Sequence, residues 1–308
     1  MKVSLIVSIY NGADILPITV PPLLNQDYPS EQLEIIMVDD ASTDGTAELL
    51  ENPEWREKYR VIRHEENRGR TAARNSGVRT STGELLIFVD CDIELPPDFV
   101  SRHASRYTDE QTVGLLSNLL PHSTELLDKY HRYLFEGKRG AKLVPEGQPL
   151  PFRYFIMTCT SILREAVGKT GLFNEDLPGY GIDLEYAYRL WQNYPDGLFY
   201  APEIEVKMHK LKTLEEAMAN FREYGEKNLP IILEKFPKLA PFTGVDFVAP
   251  GHFSWKRLIG LLLMHSFNVS VAKLKLKFAP FPLSNLFVRY LLVASVCMGY
   301  KSYLLQNE

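Results

Sequence analysis

The sequence predicts an α/β protein in which a mainly parallel central sheet is flanked by helices and followed by a C-terminal helical extension. Three near-continuous apolar runs carry this expectation: VSLIVSIY (3–10), LEIIMVDD (33–40) and LLIFVDCD (85–92). Strands that read as almost unbroken Val, Ile and Leu are covered on both faces, which is the situation of a parallel sheet. Short stretches of helical pattern lie between them, so strand and helix alternate. Beyond residue 246 the composition changes, because no Asp or Glu occurs from Phe247 to Asn307 while apolar residues continue.

Each element follows from its own residues. The first strand ends at Asn11-Gly12, a turn signal. Residues 14–26 then read as a helix whose core face is Ile15, Leu16, Val20, Leu23 and Leu24, with Pro21-Pro22 bending or interrupting it. After the second strand, Ser42 or Thr43 is placed to cap a helix that carries Ala47, Leu49 and Leu50. RVIRH (60–64) is a third strand, and NRGRTAARNSGVRT (67–80) opens at Gly69 and becomes helical before the fourth strand at 85–92. Residues 98–140 read as mostly helical, 145–152 as a loop, and 153–171 as a strand and a helix stopping at Gly171. A helix over 183–191, an edge strand over 199–209 and a helix over 214–228 complete the body. The tail holds two apolar helices, 255–272 and 283–305, with KLKLKF as a short alternating basic stretch between them. The expected organisation is a catalytic domain over 1–245, divided into halves 1–97 and 98–245, and an extension over 246–308.

Composition excludes several classes. A net charge of -5 argues against a protein that binds nucleic acid through a general positive surface. Cys91, Cys159 and Cys297 are too widely spaced for a disulfide framework or a structural zinc pattern, which points to a reducing, cytoplasmic compartment. MKVSLIVSIYNG reads as a first core strand, too short in its apolar run for a signal peptide.

In an open parallel sheet, ligands bind beyond the carboxyl ends of the strands. Asn11-Gly12, Asp39-Asp40 and Asp90-Asp92 all fall at such ends. Two carboxylates one residue apart at a strand exit suit a hard divalent cation that also takes phosphate oxygens. The plain alternative is a pair of ordinary strand-end aspartates.

MKVSLIVSIYNGADIL, LEIIMVDDASTDGT and NRGRTAARNSGVRTSTGELLIFVDCD, in this order and spacing, closely resemble the inverting nucleotide-sugar glycosyltransferases of glycosyltransferase family 2. The likeness covers roughly residues 2–225 and implies the GT-A fold. It implies a donor that is a nucleoside-diphosphate sugar, with uridine favoured, a hydroxyl acceptor on a saccharide or a lipid-linked group, and Mn2+ or Mg2+ as cofactor. Carried over by position, Asp39 meets the base edge with Asp40 beside it, and Tyr10 and Asn11 line the base and ribose pocket. Asp90 and Asp92 match the metal-binding Asp-x-Asp, Asp90 also facing the nucleotide. Arg70 and Arg74 lie where the family approaches the pyrophosphate, although either is equally suited to a nearby carboxylate. A nucleotidyltransferase and an inactive nucleotide-sugar-binding module are the rival readings.

The catalytic base is where the chain departs from the pattern. The family carries Glu-Asp before a helix ending in Arg-Leu, whereas GYGIDLEYAYRLW places Ile182 on the glutamate and Asp183 on the aspartate. Asp183 is therefore the expected general base and Glu185 the fallback, with Asp183 as a helix cap the alternative. His209 matches a histidine that many relatives place near metal and diphosphate, which implies a third metal ligand beside Asp90 and Asp92; a half-buried strand-end histidine is the alternative.

The tail carries Lys256, Arg257, Lys273, Lys275, Lys277, Arg289 and Lys301, and its longest uncharged window is 15 residues, 258–272. Such a segment suits peripheral attachment to an anionic membrane at its cytoplasmic face. A helical arm that packs on the body or on a partner, and a full span, are the alternatives; the oligomeric state is open.

Overall fold

The computed structural model of the protein describes residues 1–108, 111–125, 127–177, 179–248, 260 and 263–307. The chain divides into two compact units, the first formed by Met1–Ser123, Lys138–Asp176 and Ile182–Lys210. The second comprises Thr124–Gly137, Leu177–Gly181 and Leu211–Glu308. The principal division thus falls at 210/211, where the sequence suggested 245/246.

The first unit is built on one sheet of β1 (Val3–Ile9), β2 (Leu33–Asp39), β3 (Arg60–Arg63), β4 (Leu85–Asp90), β5 (Ile93–Glu94), β6 (Gly114–Pro121), β7 (Cys159–Leu163) and β8 (Leu198–Met208). Their order is β3-β2-β1-β4-β7-β6-β8-β5. β1 pairs in parallel with β2 and with β4, and β2 with β3, whereas β7 runs antiparallel to both β4 and β6. The chain reverses its direction of growth across β1 and β4, the place where such sheets open a crevice. Ile9 stands opposite Asp39 and Ser8 opposite Asp90, so the acidic ends of β2 and β4 flank β1 at nearly one level.

The core explains why these strands were legible. Val3, Leu5, Ile6, Val7 and Ile9 of β1 and Leu85 through Val89 of β4 are all buried. The helix Gly69–Thr80 packs on this sheet through Gly77, where an added Cβ would lie 2.3 Å from Ile6 Cγ2. A side chain at 77 would push the helix away and carry Arg74 with it.

Several expectations need correction. The segment 98–140 is not mostly helical: it holds a helix at Phe99–Ser105, the strand β6, and a helix at Lys129–Phe135. GLLSNLLP has leucine pairs that mimic a helix period, but β7 and β8 flank it and impose the strand. The helix after β2 starts at Thr46 behind a left-handed Gly45, not at Ser42 or Thr43, and a second short helix follows at Pro53–Arg56. Ser42 instead accepts the Asn11 N–H. The proline-bearing helix is Leu16–Leu24, shorter than 14–26. β8 lies along β6 and meets β5 only at Lys207 and Met208, so most of its outer side is an edge as expected.

In the second unit, Thr213 caps the helix Leu214–Glu223 through a reciprocal box with Glu216. A π-turn over Tyr224–Asn228 follows, then a helix at Leu229–Lys235, where one helix over 214–228 was expected. Gly225 and Gly299 let this stretch cross the helix Ser284–Gln306 closely, since added Cβ atoms would fall 2.1 and 2.0 Å from backbone oxygens. The basic KLKLKF stretch is the last part of a helix, Ser266–Phe278, because Ala272 and Leu276 bury against Val288 and Leu291. Most of the expected helix 255–272 lies outside the described residues.

Candidate active site

The loops after β1 and β2 are tied together by their own polar groups. The Asn11 N–H donates to Ser42 Oγ at 2.9 Å, Asn11 Oδ1 accepts from the Thr43 N–H, and the Gly12 N–H donates to Thr46 Oγ1. Asn11 holds a left-handed φ of 52°, a conformation Asn tolerates better than most residues. Tyr10 beside it presents its ring to solvent with 50% exposure.

Asp39 is fully buried at the end of β2. Its Oδ1 accepts the Ser42 N–H at 3.0 Å. Its Oδ2 lies 3.3 Å from Arg63 Nε but without hydrogen-bond geometry, and no donor among the described residues satisfies it. A buried carboxylate oxygen with an open lone pair is costly unless a ligand supplies the donor. A nucleobase N–H fits that requirement.

Asp40 does something else. It accepts the Arg68 and Gly69 N–H groups at 2.9 and 2.7 Å and pairs with His64 Nδ1 at 2.7 Å. Its oxygens are thereby engaged at the start of the helix Gly69–Thr80.

That helix delivers Arg74, which is 1% exposed. Nη2 donates to Asp90 Oδ1 at 3.1 Å and to the Met157 carbonyl at 2.8 Å, and Nη1 lies 3.4 Å from Asp183 Oδ1. Of the two readings open for Arg74, the carboxylate partner is the one the structure has. Arg70, further out, reaches Asp90 Oδ2 at 3.9 Å.

Asp90 and Asp92 leave β4 together. Burial, reinforced by the charge of Asp90, pushes the Asp92 carboxyl up to about 6. Arg74 compensates Asp90 from behind, and the charges of Arg70 and Lys210 partly offset Asp92. An oxygen-only donor pair with excess negative charge fits Mg2+ or Mn2+. Between them the Cys91 thiol is pushed up to about 12 by burial and then by both aspartates, which keeps it protonated and inert.

Asp183 lies in the first turn of the helix Ile182–Asn193. Glu185, the fallback base, is 1% exposed and grips Arg189 with both oxygens, at 2.8 and 2.9 Å. Arg189 in turn donates to the carbonyls of Thr170 and Leu172. Glu185 is thus part of an internal brace, and a proton-accepting role does not fit it.

His209 is joined to the Asp-x-Asp segment through its backbone, its N–H donating to the Asp92 carbonyl at 3.0 Å. Its imidazole turns instead to Glu94 Oε2 at 2.7 Å and stacks on His122, with centroids 3.9 Å apart. Sequence reasoning missed Glu94 and His122. Glu94 was detectable as the residue two beyond Asp92; His122 sits at the end of the unrecognised strand β6.

The sheet topology and the strand-end site are those of a GT-A fold. The chain belongs to glycosyl transferase family 2, whose model matches residues 4–171. It is 28% identical over 239 residues to the uncharacterized glycosyltransferase YfnE of Bacillus subtilis, covering 62% of this chain and 61% of YfnE. The chain therefore spans less than two thirds of that relative's length. Among solved structures, it is similar to a Pyrobaculum calidifontis mannosyltransferase in complex with GDP-Man and Mn2+, with a TM-score of 0.61 and 18% identity over 100% of this chain and 88% of that one. It is likewise similar to S. aureus TarS 1–349 in complex with UDP, with a TM-score of 0.58 and 18% identity over 100% and 92% of the two chains.

Proposed function

We propose that this chain transfers a sugar from a nucleoside-diphosphate sugar to an acceptor hydroxyl with inversion at the anomeric carbon. The observation that carries the reading is the Arg74 guanidinium, which reaches both Asp90 and Asp183. It brings a diphosphate-side carboxylate and a candidate base within the span of one side chain.

In this reading Asp39 receives the base N–H and Tyr10 and Asn11 line the base and ribose. Asp90 and Asp92 would hold a divalent cation, which when bound would offset charge on the departing diphosphate. Asp183 takes the proton from the acceptor hydroxyl as that oxygen forms a bond to the anomeric carbon. The bond from that carbon to the phosphate oxygen breaks in the same step, so one displacement inverts the configuration and needs no second carboxylate nucleophile. A uridine diphosphate donor is favoured, and the acceptor is a saccharide or lipid-linked hydroxyl.

The test is Asp183→Asn, with donor affinity measured beside turnover. Transfer should fall by roughly 10²–10⁴-fold while donor binding holds. Equal loss of both would make Asp183 structural. Release of free nucleoside diphosphate, rather than pyrophosphate, separates this reading from nucleotidyl transfer.

The second unit supports peripheral attachment to an anionic membrane at its cytoplasmic face. On the helix Ser266–Phe278, Phe267, Leu274 and Phe278 are exposed alongside Lys275 and Lys277, with Phe278 at 80% exposure. Among the described residues no helix is long and apolar enough to cross a membrane. Flotation with anionic vesicles should retain the full chain and release a Phe267→Ser/Phe278→Ser variant; equal recovery would remove the idea.

A further inference from the structure

Phe173 is a buried residue between the helices Arg164–Thr170 and Ile182–Asn193. Its ring meets all three elements that carry Arg74, Asp90 and Asp183. The Arg74 guanidinium lies over it, with Cζ 5.8 Å from the centroid. The Phe88 ring meets it edge to face, with centroids 5.4 Å apart and planes inclined by 85°. The Tyr186 ring stacks on it, with centroids 4.0 Å apart and planes inclined by 25°. Phe88 stands two residues before Asp90 on one face of β4, and Tyr186 about one helical turn after Asp183. The backbone around Phe173 is strapped to the helix Gly69–Thr80 independently of the ring. Asn75 donates to the Phe173 carbonyl at 2.9 Å and accepts the Phe173 N–H at 3.0 Å. Glu175, two residues on, accepts from Asn75, Arg68 and Arg79.

We propose that Phe173 is a positioning residue for sugar transfer, its ring setting the Arg74 guanidinium at the spacing that joins Asp90 to Asp183. The inference rests on the glycosyl-transfer reading above. Hydrogen bonds alone leave Arg74 incompletely held. Both Nη groups have carboxylate or carbonyl partners, whereas Nε is buried with no hydrogen-bond partner among the described residues. The bonds therefore restrain one edge of the guanidinium, and an aromatic face is a favourable seat for the plane of a desolvated one. Phe88 and Tyr186 key the same ring to the two elements that bear the carboxylates. They do so in edge-to-face and stacked arrangements, the ones aromatic pairs prefer. A displacement of either element thus reaches Arg74 through one ring. An aliphatic side chain at 173 would fill the space but offer neither a face to the cation nor an edge and face to the rings.

The test is a double-mutant cycle on turnover in the full chain, with donor affinity measured alongside. Phe173→Leu keeps the backbone strap and most of the buried volume while removing the ring. It should lower turnover about tenfold and change donor affinity by less than about twofold. Arg74→Lys removes the fork that the ring seats, so the double variant should fall less than about twofold below Arg74→Lys alone. Circular dichroism and melting curves check that each variant is folded, and Phe173→Met, also without a ring, takes the place of Phe173→Leu if that variant is not. A residue that only fills the core would lower the melting temperature with turnover per folded molecule intact, or would multiply its loss with that of Arg74→Lys. Either result overturns the proposal. Absence of transfer by the parent protein would instead remove the glycosyl-transfer reading and this inference together.

Discussion

Arg74 Nη1 lies 3.4 Å from Asp183 Oδ1 although 109 residues separate the two in sequence. The same guanidinium holds Asp90 and the Met157 carbonyl, so one buried side chain sets the spacing between the diphosphate end of the site and the candidate base. A fork of donors can do this and a single ammonium cannot. Arg74→Lys should therefore keep the charge yet lose the spacing. Turnover should fall roughly 10- to 100-fold, with a smaller change in donor affinity. Steady-state kinetics beside calorimetric donor binding measures the split, and an unaffected turnover would show that the bridge is dispensable.

Glu185 should behave as structure. Glu185→Ala leaves Arg189 without its buried partner, a loss of about 3–5 kcal/mol for a buried ion pair. Urea unfolding should show this directly. Turnover per folded molecule should stay near the parent value, and a collapse of turnover in protein that remains stable would restore Glu185 as a base.

Asp39 allows a test of base recognition with little cost to the fold. In Asp39→Asn the oxygen that accepts the Ser42 N–H is retained, while the unsatisfied acceptor becomes a donor facing another donor. Nucleoside diphosphate affinity should drop about 10- to 100-fold, corresponding to roughly 1.5–3 kcal/mol for a hydrogen bond to a charged group. Binding by calorimetry and a melting curve of the free protein distinguish this from general destabilisation.

His103 predicts an acid limb of stability. It is buried between Ser161 Oγ and Ser117 Oγ, at 2.7 and 2.8 Å, and burial pushes its imidazole down to about 3. The unfolded chain protonates this histidine near its ordinary value of 6.5, whereas the folded chain leaves it neutral. Its contribution is thus complete above about pH 6.5 and is lost as pH falls from there toward 3. Between pH 6.5 and pH 5 the loss should be about 2 kcal/mol. Denaturant unfolding of the parent and of His103→Gln at pH 7 and pH 5 checks this: the variant should lose less stability on acidification.

The sequence by itself determined the strands β1, β2 and β4 and the placement of Asp39, Asp90 and Asp92 at their carboxyl ends. It could do so because a strand buried on both faces must be apolar along its whole length, and a polar residue can return only where the strand leaves the sheet. The tertiary structure decided which polar groups meet. Nothing local to GRTAARNSG says that its second arginine spans two distant carboxylates, that Asp40 is absorbed by a helix start, or that Glu185 is sealed beneath Arg189. It also decided that leucine-rich GLLSNLLP is a strand and basic KLKLKF a helix, since neighbouring surfaces chose between two local patterns of similar strength. Periodicity reports the environment of one segment at a time, whereas a site is a set of distances between segments, fixed only when the sheet register and the packing of helices upon it are in place.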